Sequence, residues 1–117
     1  MIRVLVADHQ PIVSYGIRMY FENSTDIKIV NTASSAKQLL DYLKKSNTDV
    51  VLMSIDLPDT NGITMLRTIK KEFSDVSVII FSTHPEDIYA ISAIKAGASG
   101  YVSKTGGGYG DARINLR

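Results

Sequence analysis

Apolar positions fall into two alternating patterns along the chain. Five short, β-branched runs, Ile2 to Ala7, Ile27 to Asn31, Val50 to Met53, Val76 to Phe81 and Tyr101 to Ser103, are mostly continuous rather than every-other-residue apolar. Runs of that kind suit strands covered on both faces, as in a parallel sheet. Between them the apolar spacing lengthens to a helical period. Val13, Ile17, Tyr20 and Phe21 mark a first helix, with Pro11 placed for its first turn. Leu39, Leu40 and Leu43 mark a second, which Ser34 or Ser35 can cap and whose end Lys44 and Lys45 suit. Leu66, Ile69 and Phe73 mark a third, and Ile91 with Ile94 a fourth that ends near Gly97.

The order is therefore strand and helix four times over, then a strand. Right-handed crossovers restrict such a chain to a few open sheets, of which a doubly wound, flavodoxin-like α/β fold with strand order 2-1-3-4-5 fits this size. That arrangement calls for a fifth helix. After Lys104 the chain instead reads Thr105-Gly106-Gly107-Gly108-Tyr109-Gly110 and then seven further residues, too little for a connection and a covering helix. The expected organisation is one domain over residues 1–105, with 106–117 a Gly-rich linker or altered terminal segment and the fifth helix missing or altered. Without that helix, the outer side of the fourth and fifth strands is expected to lie open.

Composition narrows the functional classes. A chain of 117 residues has room for one core, and 44% hydrophobic with 21% charged residues is an ordinary globular balance. No apolar run reaches the length of a membrane span, and the apolar opening is too short for a signal peptide. The net charge of +1 offers no basic excess for gripping a phosphate backbone, and Lys44-Lys45 and Lys70-Lys71 read as solvated helix faces. The absence of cysteine excludes disulfides and thiolate metal sites and fits a cytoplasmic setting.

In a doubly wound sheet the loops at the carboxyl ends of the strands line a crevice, deepest where the strand order reverses. Four segments deliver polar side chains there: Asp8 and His9 after strand one, Ser54 at the end of strand three, Ser82 at the end of strand four and Lys104 after strand five. Turn chemistry alone accounts for any one of them. Their joint spacing is harder to attribute to turns.

At this point the chain resembles a known family. Val4-Leu5-Val6-Ala7-Asp8, Asp49-Val50-Val51-Leu52-Met53, Leu57-Pro58 with Gly62, Ile80-Phe81-Ser82, and Lys95-Ala96-Gly97-Ala98-Ser99-Gly100-Tyr101-Val102-Ser103-Lys104 are together similar to a two-component receiver domain. The last two segments look like receivers that precede a C-terminal helix-turn-helix, the NarL/LuxR-type regulators. The resemblance implies a magnesium site built on two acids after strand one, with the backbone carbonyl at Asp56 as a further ligand, and a phosphoryl-accepting aspartate at the end of strand three. It also implies switch roles for Lys104, Ser82 and Tyr101.

This chain departs from that pattern at two places: the acid pair reads Asp8-His9 and the acceptor position reads Ser54. A hydroxyl needs a base before it can attack phosphorus, and it brings no charge to a metal. Magnesium prefers hard oxygen donors in octahedral array, so magnesium binding through Asp8 is expected to be weak or absent. Lys104 is expected either to pair with Asp8 or to stay solvated.

Asp56 and Asp59 read as turn residues rather than substitute acceptors. His9 as a transition-metal ligand lacks a second histidine nearby, since His84 follows strand four. The function that follows is a non-phosphorylatable receiver, not an enzyme. It would act as a signalling and dimerisation module of a DNA-binding response regulator, with a homodimer partner, a histidine kinase or other signalling protein upstream, and DNA contact only through a further C-terminal domain. Three alternatives stay open: a phosphotransfer-competent receiver using a displaced aspartate, an acceptor-site mutant of an ordinary receiver, and a flavodoxin-like binder of a small anion. The last lacks a Gly-rich phosphate loop after strand one.

Overall fold

The computed structural model describes residues 1–82 and 86–103. Its elements run β1 (Ile2–Ala7), α1 (Pro11–Tyr20), β2 (Ile27–Ala33), α2 (Ala36–Lys45), β3 (Val50–Ser54), α3 (Gly62–Glu72), β4 (Ser77–Ser82), α4 (Glu86–Lys95) and β5 (Gly100–Ser103). All neighbouring strands pair in parallel, in the order β2-β1-β3-β4-β5. This is the doubly wound arrangement expected from the alternation of strand and helix patterns. The segment in which a fifth helix would fall, including Lys104 and the Gly-rich stretch, lies outside the described residues.

Local chemistry sets the helix ends. Pro11 opens α1, where its missing N–H costs nothing. Ser35, rather than Ser34, caps α2, its hydroxyl accepting the Gln38 N–H at 3.2 Å. Asn61 caps α3 by accepting the Ile63 N–H at 2.7 Å. Helix α4 gives way at Gly97, whose φ of 109° is the left-handed conformation that glycine adopts without strain. The element ends differ from the apolar runs by one or two residues. β2 continues through Thr32 and Ala33, β3 takes in Ser54, β4 spans Ser77–Ser82 instead of starting at Val76, and β5 begins at Gly100. Backbone pairing in a sheet does not require an apolar side chain, so the ladder outruns the apolar pattern.

The two faces of the sheet are covered unequally. On one, Leu5, Val51, Met53, Val78, Ile80 and Tyr101 pack against Leu39 and Leu43 of α2, Leu66 and Ile69 of α3 and Ala93 of α4. On the other, a smaller cluster of Val4, Val6 and Ile29 packs under Ile17 and Phe21 of the α1 region, while Val50 and Leu52 are only partly buried.

Three side-chain assignments need correction. Tyr20 is 82% exposed rather than part of the inward stripe of α1, and Ile91 is 63% exposed while Ala93 of α4 is buried. Lys70 is not a solvated face residue: its Nζ donates to the carbonyls of Ser74 at 3.2 Å and Val76 at 2.8 Å, tying the end of α3 to the following loop. Both apolar errors have one cause. α1 and α4 carry apolar residues on more than one side, so periodicity alone does not select the inward one.

Candidate functional site at the carboxyl edge of the sheet

β1 and β3 are neighbours in register, Ala7 opposite Met53, so the residues that follow, Asp8 and Ser54, emerge side by side at the carboxyl edge. Ser54 pairs with Phe81 across to β4, which places Ser82 one step further out on the next strand. Asp8, Ser54 and Ser82 are all buried, at 2, 3 and 1% exposure, where the other buried residues among those described are nearly all apolar. Burying polar groups costs free energy unless they are hydrogen-bonded, so their convergence is a built feature of the edge. Tyr101 lies elsewhere, fully buried in the larger core below the edge.

Each loop polar group has a specific contact. The Asp8 carboxylate accepts the Gln10 N–H at 2.7 Å and so shapes the entry to α1. The Ser54 hydroxyl accepts the Asp56 N–H at 3.2 Å, closing a tight turn directly after β3. His9 is exposed, and its Nδ1 lies 3.0 Å from the Asp56 carbonyl oxygen and 3.9 Å from Asp8 Oδ1. A carbonyl oxygen can only accept, so the contact with Asp56 requires the proton on Nδ1. The β1–α1 and β3–α3 loops are thereby joined through one imidazole.

The β3–α3 loop is held from its other end as well. Asp56 and Asn61 form an isolated antiparallel bridge, and Gly62 approaches the end of β3 closely. A Cβ on Gly62 would stand 2.7 Å from both the Ile55 Cα and the Ser54 carbonyl oxygen, so only glycine allows this approach. Asp59, expected to be a turn residue, reaches across to α2. Its two carboxylate oxygens accept the Ala36 N–H at 2.9 Å and the Lys37 N–H at 3.0 Å. The bond from Ala36 is the main reason its carboxyl titrates below the ordinary aspartate range; burial opposes it less strongly, and the Lys37 bond adds a smaller lowering. Sequence reasoning missed this role because the partners lie more than 20 residues apart. Asp56 is exposed and contributes its backbone on both sides of the loop contact. Lys104 and His84 fall outside the described residues.

This edge, on this sheet, is that of a two-component receiver, and residues 4–108 match the family described as the response regulator receiver domain. The chain belongs to that family. It is 38% identical over 101 residues to the Fimbriae Z protein of Escherichia coli (strain K12), and 35% identical over 104 residues to Response regulator UvrY of the same strain. These alignments cover 86 and 89% of this chain but 48% of each relative, so the chain spans about half the length of the curated relatives it matches.

Among solved structures, the isolated REC domain of RcsB from Salmonella enterica serovar Typhimurium, in the presence of phosphomimetic BeF3-, superposes with a TM-score of 0.85 at 26% identity, over 91% of this chain and 79% of that one. A LuxR-family two-component response regulator from Aurantimonas sp. SI85-9A1 gives 0.82 at 32% identity, over 88% of this chain and 74% of that one. RcsB is also described in complex with DNA, where this chain matches 54% of its length at 26% identity and a TM-score of 0.85. Among the described residues, no helix is long and apolar enough to cross a membrane.

Proposed function

We propose that this chain is a receiver that does not accept a phosphoryl group and that serves as a signalling and assembly module of a longer, cytoplasmic, DNA-binding response regulator. The observation that carries this reading is the closed polar edge. Ser54 stands at the acceptor position with its hydroxyl engaged by the Asp56 N–H, and His9 sits on the Asp56 carbonyl.

The donor set does not fit the magnesium ion that the family uses. One carboxylate, Asp8, is present. Position 9 offers an imidazole in place of a hard anionic oxygen, position 54 offers a neutral hydroxyl, and the carbonyl at 56 already accepts one hydrogen bond from the His9 N–H. The domain's output then depends on its surfaces, through a second copy of itself and an upstream signalling protein, with DNA contacted by a separate domain; the similar regulator RcsB has been solved in complex with DNA.

The test is the amide spectrum of the chain with beryllofluoride and magnesium at millimolar concentration. The spectrum is expected to stay unchanged. Shifts clustered around Ser82 and Tyr101 would contradict the reading, because they would show that the edge still takes up a phosphoryl mimic.

A further inference from the structure

Helix α1 buries a single residue, and that residue is a serine. Of Pro11–Tyr20 only Ser14 is buried, at 7% exposure, while Ile12, Tyr15 and Tyr20 are exposed. A buried polar group ordinarily has a hydrogen-bond partner, yet among the described residues the Ser14 hydroxyl has none. It lines instead a cleft of about 350 Å³ between α1 and the end of β2, together with Asp8, Arg18, Thr32 and Ser34. β2 and β3 flank β1 on opposite sides. The cleft therefore lies on the β2 side of α1 and shares only Asp8 with the polar edge formed by Asp8, Ser54 and Ser82.

We propose that this cleft binds a small organic anion carrying hydroxyl groups, its charged end held by Arg18 and its hydroxyls by Ser14 and Thr32. Arg18 makes no ion pair among the described residues, and Glu22, four residues on, lines only the neighbouring cleft towards Met1. A guanidinium without a carboxylate of its own suits a carboxylate or phosphate oxygen. Long side chains on a helix lean back over the preceding turn, so the head of Arg18 reaches towards Ser14.

Thr32 comes from the opposite wall. It stands opposite Val6, which packs under α1, so its side chain is on the same face of the sheet as the helix. Like Ser14, it makes no side-chain hydrogen bond among the described residues. The Ser34 hydroxyl donates to Gln38 Oε1 at 3.1 Å, which leaves its lone pairs to accept. The two charges set the orientation of the occupant. Asp8 holds the start of α1, and Arg18 lies about two turns, roughly 10 Å, further along the helix. An acidic group is repelled at the Asp8 end and attracted at the Arg18 end, whereas a hydroxyl can donate to Asp8. A linear molecule of about a dozen non-hydrogen atoms, acidic at one end and hydroxylated along its length, matches both the span and the volume. The inference goes beyond the proposed function and is independent of whether Ser54 takes a phosphoryl group.

Amide chemical shifts of the full chain titrated with gluconate test it, with sorbitol as the neutral counterpart. Gluconate is expected to move the amides of Ser14, Tyr15, Thr32 and Ser34 and to saturate with a dissociation constant on the order of 1 mM, the affinity of a ligand of that size in an open cleft. Sorbitol should bind at least about ten-fold more weakly, because it lacks the charge. Arg18 is exposed, so Arg18→Gln keeps the fold, and it should weaken gluconate binding at least about ten-fold. Lys28→Gln removes an equal charge from the neighbouring cleft and should leave binding unchanged. Ser14→Ala should weaken binding by a factor of about three to ten. It should not lower the urea midpoint, since the hydroxyl it removes has no partner in the free protein. The absence of a saturable shift up to about 20 mM gluconate would overturn the proposal. So would equal shifts with sorbitol, equal losses in Arg18→Gln and Lys28→Gln, or a Ser14→Ala variant that binds gluconate as the parent does.

Discussion

The two faces of the sheet do different work. On the α2–α3–α4 side, Val51, Met53, Val78, Ile80 and Tyr101 are fully buried under Leu39, Leu66 and Ile69. On the α1 side, Val4, Val6, Ile29 and Phe81 are buried, whereas Val50, Leu52, Ile79 and Val102 are only partly so. Side chains on successive strand residues point to opposite faces, so each strand contributes equally to both. The asymmetry comes from what lies over the sheet. Among the described residues, α2, α3 and α4 cover one face, and α1 covers the β1–β2 part of the other.

That contrast can be broken by paired truncations of the same size. Leu66→Ala removes side-chain atoms from a site with no solvent contact and is expected to cost about 2–5 kcal/mol of unfolding free energy. Leu52→Ala on the open face should cost only about 1 kcal/mol, because part of the side chain already meets water. Urea denaturation of the two variants checks this, and equal losses would show that the faces are equally packed.

A smaller effect sharpens the account of the loops. Asp59→Asn weakens the two bonds that tie the β3–α3 loop to the start of α2 and should cost about 0.5–1 kcal/mol at neutral pH, the range for an exposed helix cap after allowance for solvent screening. The folded-state carboxyl of Asp59 titrates below its unfolded one. Its contribution is thus fully present above the ordinary aspartate range and is lost as the pH falls through the lowered folded value. The stability difference between parent and Asp59→Asn should accordingly shrink on acidification. A difference independent of pH would mean that the charge of Asp59 plays no part in the cap.

Much of this was legible in the sequence. The five strands stood out because parallel strands buried on two faces leave continuous apolar runs, and a serine cap for α2 stood out too, with the choice of Ser35 over Ser34 left to the structure. That Asp8, Ser54 and Ser82 meet was legible because strand ends in a doubly wound sheet are brought to one edge by topology alone. The inward faces of α1 and α4 were not, since an apolar residue on every side leaves no period to read. Nor were the contacts of His9 with Asp56 and of Asp59 with Ala36, which join loops distant in sequence through single side chains. No local pattern encodes such a contact.

The central claim is that the edge has lost phosphoryl transfer at two positions, Ser54 and His9. Intact-mass measurement after incubation with acetyl phosphate, across a range of magnesium concentrations, tests it on the parent, Ser54→Asp, His9→Asp and the double variant. The parent and His9→Asp are expected to gain no acyl phosphate. Ser54→Asp should gain little, because the imidazole at position 9 still denies the cation an anionic oxygen, whereas the double variant should be phosphorylated far more fully and in a magnesium-dependent way. Phosphorylation of the parent itself would contradict the claim outright, and equal yield and equal magnesium dependence in Ser54→Asp and the double variant would reduce it to the acceptor alone.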